Sequence, residues 1–125
     1  MPVRTRRWSD PKQPGDGLRV LICRYRPRAL PKADETWDVW MKALAPSKEL
    51  LARFQNGTID WPEYRKGYLQ EMAAQGEAPE AIEELAGRVR KGKTVTLLCS
   101  KSCEDEARCH RTPLKLLVEK AAVAR

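Results

Sequence analysis

Two short apolar runs, Leu18 to Cys23 and Thr94 to Cys99, constrain this chain more than any other feature. Leu18, Val20, Leu21 and Ile22 in the first, and Val95 to Leu98 in the second, follow one another without regular polar alternation. A strand wet on one face alternates, so these runs predict strands covered on both faces, the habit of parallel sheets. Parallel neighbours need a long crossover, and the stretch between the runs supplies it with helical periodicity.

Thr36 predicts the cap of a helix carrying Trp37, Trp40, Met41 and Leu44, ended by Pro46. Ser47 caps the next, with Leu50, Leu51 and Phe54 on one face before Asn56 and Gly57 break it. Asp60 caps a third, striped by Trp61, Tyr64, Tyr68, Leu69 and Met72, with Pro62 tolerated in its first turn. Pro79 to Arg90 reads as a fourth, with Ile82, Leu85, Ala86 and Val89 inward and charges ordered acid first, base last. After the second run, Thr112 and Pro113 read as the cap and first residue of a last helix carrying Leu114, Leu117 and Val118. Ser102 with Asp105 offers an earlier helical turn. With Val3 to Arg7 as an added strand, the expectation is one α/β domain spanning residues 1–125. It has a small parallel sheet of about three strands flanked by about five helices.

No apolar run approaches the ~20 residues that cross a bilayer, and the amino terminus lacks the apolar core of a secretion signal. The expectation is a cytoplasmic protein with no membrane partner. In a reducing compartment the four cysteines read as free thiols, metal ligands, catalytic groups or small buried hydrophobes, not as a disulfide frame. The net charge of +7 is concentrated: Met1 to Lys32 holds nine basic and two acidic residues, and from Ala33 onward fifteen of each cancel. Such a concentration attracts nucleic acid, nucleotides or other polyanions, unless it is only a solvated basic face.

In a parallel sheet the carboxyl ends of both runs point the same way, so the loops Arg24 to Lys32 and Ser100 to Arg111 share one edge. Arg24, Arg26, Arg28, Lys32 and Arg111 would then surround Cys99, Cys109 and His110. Guanidinium groups hold phosphate or carboxylate through paired hydrogen bonds. These five cations and Asp16 form the candidate ligand-binding set, although some arginines can instead tie to Asp10 or Asp16. His110 is the only histidine, so Cys99 and His110 are the candidate nucleophile and base. Cys109 is expected to point away from its neighbour, and the cysteine-to-arginine spacing of a phosphatase cradle is missing, with Asp105 six residues after Cys99. Cys99, Cys103, Cys109 and His110 supply four soft metal ligands, at spacings unlike those of structural zinc sites. Trp8 and Tyr25 beside the basic residues offer stacking groups to nucleic acid, without any known recognition motif.

Asp16, Gly17, Arg19, Val20 and Leu21, then Arg24, Pro27 and Arg28, and later Leu44 to Ser47 and Leu50 carry a resemblance to the YeaO-like family, domain of unknown function 488. Lys32, Trp40, Trp61, Tyr64, Tyr68 and Glu71 match its later positions. Many members also carry the strand ending seen at Leu97 to Cys99 and the cysteine, histidine, arginine sequence of Cys109 to Arg111. The resemblance spans nearly the whole chain and implies a compact α/β domain; it brings no established activity. Three positions depart from it. Members usually have aspartate where Cys23 stands, tryptophan where Arg26 stands and glycine where Ala29 stands.

Taken together, these residues point to a small α/β protein with a cationic pocket at the carboxyl edge of its sheet, taking a nucleotide or phosphorylated metabolite. A nucleic-acid-binding protein using the basic first quarter and a Cys/His metal-binding protein are the alternatives. The sequence names no cofactor, reaction or oligomeric state.

Overall fold

A computed structural model describes residues 3–27, 29–74, 76–100 and 105–123. The strands are β1 (Val3–Arg7), β2 (Leu18–Leu21), β3 (Val39–Trp40) and β4 (Val95–Cys99), all parallel, in the order β1-β4-β2-β3. The helices are α1 (Lys48–Gln55), α2 (Trp61–Ala73), α3 (Glu77–Arg90) and α4 (Arg111–Val123). The last strand in sequence thus inserts between the first two, and every residue of β4 is buried.

Side-chain alternation divides the sheet into two unlike faces. Val3, Val20, Ile22, Val95 and Leu97 meet Leu50, Tyr68, Leu85, Leu114 and Val118 in one core under the helices. Full burial of a side chain such as Leu97 contributes about 1.5–3 kcal/mol. Leu21 and Leu98 face the other way, into a smaller cluster with Cys23, Cys99 and Cys109 that Trp8, Trp37 and Trp40 cover. Among the described residues, these tryptophans rather than a helix cover the cluster on this second face.

Local chemistry fixes the helix starts. Ser47 accepts the N–H of Leu50 to open α1, and Asp60 and Glu63 form a reciprocal capping box at α2. Pro113 fits the first turn of α4, where backbone N–H groups need no helical partner. The expected helix from Thr36 is not formed. Asp38 binds both ways to Arg19, its N–H to the carbonyl (2.8 Å) and its carboxylate to the N–H (2.9 Å), and the Met41 N–H reaches the Leu21 carbonyl. These bonds pull Val39–Trp40 onto β2 as a fourth strand, and only a 3-10 turn at Lys42–Leu44 follows. A long-range pairing therefore overrides the helical spacing of Trp37, Trp40, Met41 and Leu44.

Several of the positions that carry the resemblance hold this frame. Tyr68 donates to the Leu44 carbonyl (2.7 Å), Glu71 accepts the Ser47 N–H (2.8 Å) and Trp40 donates to the Cys23 carbonyl (2.8 Å). Gly17 is required: at φ +63° a Cβ there would lie 2.1 Å from the Thr94 carbonyl oxygen.

Candidate functional site

At the carboxyl ends of β2 and β4, which are neighbours, a cleft of about 280 Å³ opens. Cys23, Arg24, Tyr25 and Pro27 form one side, and Cys99, Ser100, Arg108, Cys109 and His110 another. Phe54 and Tyr64 stack in the wall contributed by α1 and α2, with ring centroids 4.3 Å apart. Tyr25 stands exposed at the mouth. The parallel sheet thus brings the two chemically rich loops to one edge.

His110 is held from two sides. Its Nε2 lies 2.9 Å from the Ile22 carbonyl oxygen and its Nδ1 lies 3.8 Å from Cys99 Sγ. A carbonyl oxygen only accepts, so Nε2 carries a proton and donates it to Ile22, while Nδ1 faces the thiol. Tyr68 packs edge-on against the ring at 5.3 Å. Burial first, then the neighbouring acidic groups, pushes the Tyr68 phenol well above its ordinary value, so it stays a neutral donor. One ligand atom from each of Cys99, Cys109 and His110 lies within 4.8 Å of the other two. The expectation that Cys109 points away from this group is corrected. Cys109 and His110 lie between the 3-10 turn Glu106–Arg108 and α4, where successive side chains do not alternate across a plane as they do in a strand.

The six residues expected to bind the ligand separate. Arg24 lines the cleft, and among the described residues no carboxylate pairs with it. Arg26 bonds Glu35 at 2.9 Å and lies over the Trp37 ring. Lys32 is exposed in a 3-10 turn away from the lining, and Arg111 is buried as the first residue of α4. Arg28 and Cys103 lie outside the described residues. Asp16 sits on the second face of the sheet, where Arg4, Arg6 and Arg19 converge on it at 3.2, 3.4 and 2.6 Å. Burial raises this carboxyl's pKa, but the Gln13 N–H and the three guanidinium groups outweigh it and hold the group below its ordinary value. Arg19 is itself buried, bonding the Thr36 and Asp10 carbonyls as well.

Arg108 is the cation that sequence reasoning missed. It lines the cleft with its side chain 72% exposed, and among the described residues its one ion pair is a long 4.0 Å contact to Asp105. Its position directly before Cys109 was the available signal. Of the three positions that depart from the resemblance, Cys23 falls in the cleft, Arg26 fills a structural pairing, and Ala29 adopts a left-handed φ of 56°, the conformation glycine takes without strain.

Fold and cleft together define a class: a small all-parallel α/β domain with a thiol and imidazole cluster at the carboxyl edge of its sheet. The chain belongs to the DUF488 family, for the profile described as the active DUF488-N3 subclade matches residues 3–122. It is 33% identical over 100 residues to uncharacterized protein YeaO of Escherichia coli K12, covering 80% of this chain and 84% of that protein. It is also 33% identical over 86 residues to uncharacterized protein Rv3073c of Mycobacterium tuberculosis H37Rv, covering 69% and 72% respectively. No solved structure matches the chain significantly. Among the described residues no helix is long and apolar enough to cross a membrane.

Proposed function

We propose that the carboxyl-edge cleft binds a small anionic ligand with a flat ring, of the nucleotide or phosphorylated-metabolite class. The observation that carries this reading is the pairing of Arg24 and Arg108 with an aromatic wall in one cleft lined by no carboxylate among the described residues. Guanidinium groups suit the phosphate, and Tyr25, Phe54 and Tyr64 suit the ring. Commitment of Arg4, Arg6 and Arg19 to Asp16, Arg7 to Asp10 and Arg26 to Glu35 favours a local site over an extended nucleic-acid surface.

Isothermal titration calorimetry with inorganic phosphate, nucleoside monophosphates and the matching nucleosides tests it. Phosphorylated ligands are expected to bind more tightly than nucleosides. Arg24→Ala and Arg108→Ala should each weaken them about tenfold, the scale of one charge-assisted hydrogen bond. Unchanged affinity in both variants, or no binding, would sink the proposal. Tight binding of duplex DNA with a steep salt dependence would transfer the function to nucleic acid.

A further inference from the structure

We propose that Cys99, Cys109 and His110 form a zinc site whose fourth coordination position opens into the cleft. Three soft donors from two elements converge here: Cys99 ends β4, and the other two immediately precede α4. Two thiolates and an imidazole select zinc over magnesium or calcium, which take oxygen ligands. Tetrahedral zinc at ordinary bond lengths spaces a sulfur and a nitrogen ligand about 3.6 Å apart. Cys99 Sγ and His110 Nδ1 are 3.8 Å apart, so the metal needs little rearrangement on that edge.

The outer contacts agree. The Nε2–H of His110 donates to the Ile22 carbonyl, the kind of bond that fixes tautomer and ring orientation in metal-bound histidines. It leaves Nδ1 as the ligand atom, on the side of the Cys99 sulfur. Zinc binding would displace the two thiol protons to solvent and form two Zn–S bonds and one Zn–N bond. All three residues line the cleft, so a water or a ligand oxygen can take the fourth position, in the same cleft that Arg24 and Arg108 line. The metal site stands on the cluster alone. Its role as an anion anchor rests on the function proposed above.

Protein purified under reducing conditions from zinc-containing medium is analysed by elemental mass spectrometry, then stripped and titrated with cobalt(II) while the visible spectrum is followed. One zinc per chain is expected, with tetrahedral cobalt bands and a thiolate charge-transfer band. Cys99→Ser, Cys109→Ser and His110→Gln should abolish both, whereas Cys103→Ser should retain them. Circular dichroism checks that each variant folds, and the wild-type cobalt titration decides the matter where a buried-cysteine variant does not. Zinc-free protein lacking the cobalt–thiolate band would overturn the site, as would zinc retained in folded Cys99→Ser. Metal-free protein in which iodoacetamide modifies Cys99 only while His110 is intact would overturn it in favour of a thiol nucleophile. Loss of zinc in folded Cys103→Ser would overturn the open fourth position. Zinc present without phosphate binding in calorimetry would instead defeat the anion reading alone.

Discussion

On the second face of the sheet, Arg4, Arg6 and Arg19 converge on the single carboxylate of Asp16, whereas at the carboxyl edge Arg24 and Arg108 flank a cleft whose described lining holds no carboxylate. The residue type is the same and the surroundings decide its use. Buried Arg19 must be paired, because an isolated charge taken out of water is costly. Arg24 and Arg108 keep access to water, and among the described carboxylates only Asp105 reaches either of them, at a long 4.0 Å from Arg108, so both stay available to a ligand. Basic residues clustered in sequence therefore divide into those that lock the fold and those that remain open.

The largest expected effect lies on the locked side. Asp16→Ala strands Arg19 and should lower stability in urea unfolding by about 3–5 kcal/mol; a loss below about 1 kcal/mol would break the contrast. The pH sign follows from the depressed carboxyl. Asp16 contributes stability above its unfolded value of about 3.9, and that contribution is lost as pH falls through the lower folded value. Acid melting of Asp16→Asn should lack that component.

Tyr68→Phe comes next, since it leaves the Leu44 carbonyl buried without its donor. A loss of about 2 kcal/mol is expected in the same assay; no loss would remove Tyr68 as a support of the His110 side of the cleft. Arg24→Ala should separate the two roles, changing stability by less than about 0.5 kcal/mol while phosphate affinity falls. Destabilisation comparable to Asp16→Ala would place Arg24 with the locking residues. Ala29→Gly is the smallest: relief of the left-handed backbone, offset by the greater freedom of glycine in the unfolded chain, should raise stability by about 0.5 kcal/mol.

The parallel sheet and α1 to α4 were legible because their signals are local: continuous apolar runs, 3.6-residue stripes, and caps at Ser47 and Asp60. The Thr36 helix failed because Arg19 and Leu21, distant in sequence, claim the backbone of Asp38 and Met41. The shared edge followed from parallel strands, but which cations would reach it did not. Arg26 is drawn away by Glu35, Arg111 turns inside as α4 begins, and Arg108 takes the outward place one residue before Cys109. Approach of Cys109 to Cys99 depends on the turn before α4, which spacing alone does not reveal.

The central claim is that ligand contact belongs to the carboxyl edge and not to the Asp16 cluster. A backbone amide NMR titration with a nucleoside monophosphate tests it most directly. The account predicts saturable shifts centred on residues 23–25, 99–100 and 108–110, with the amides of Arg4, Arg6 and Arg19 unmoved. Shifts centred on Arg4, Arg6, Asp16 and Arg19, with the cleft silent, would contradict it.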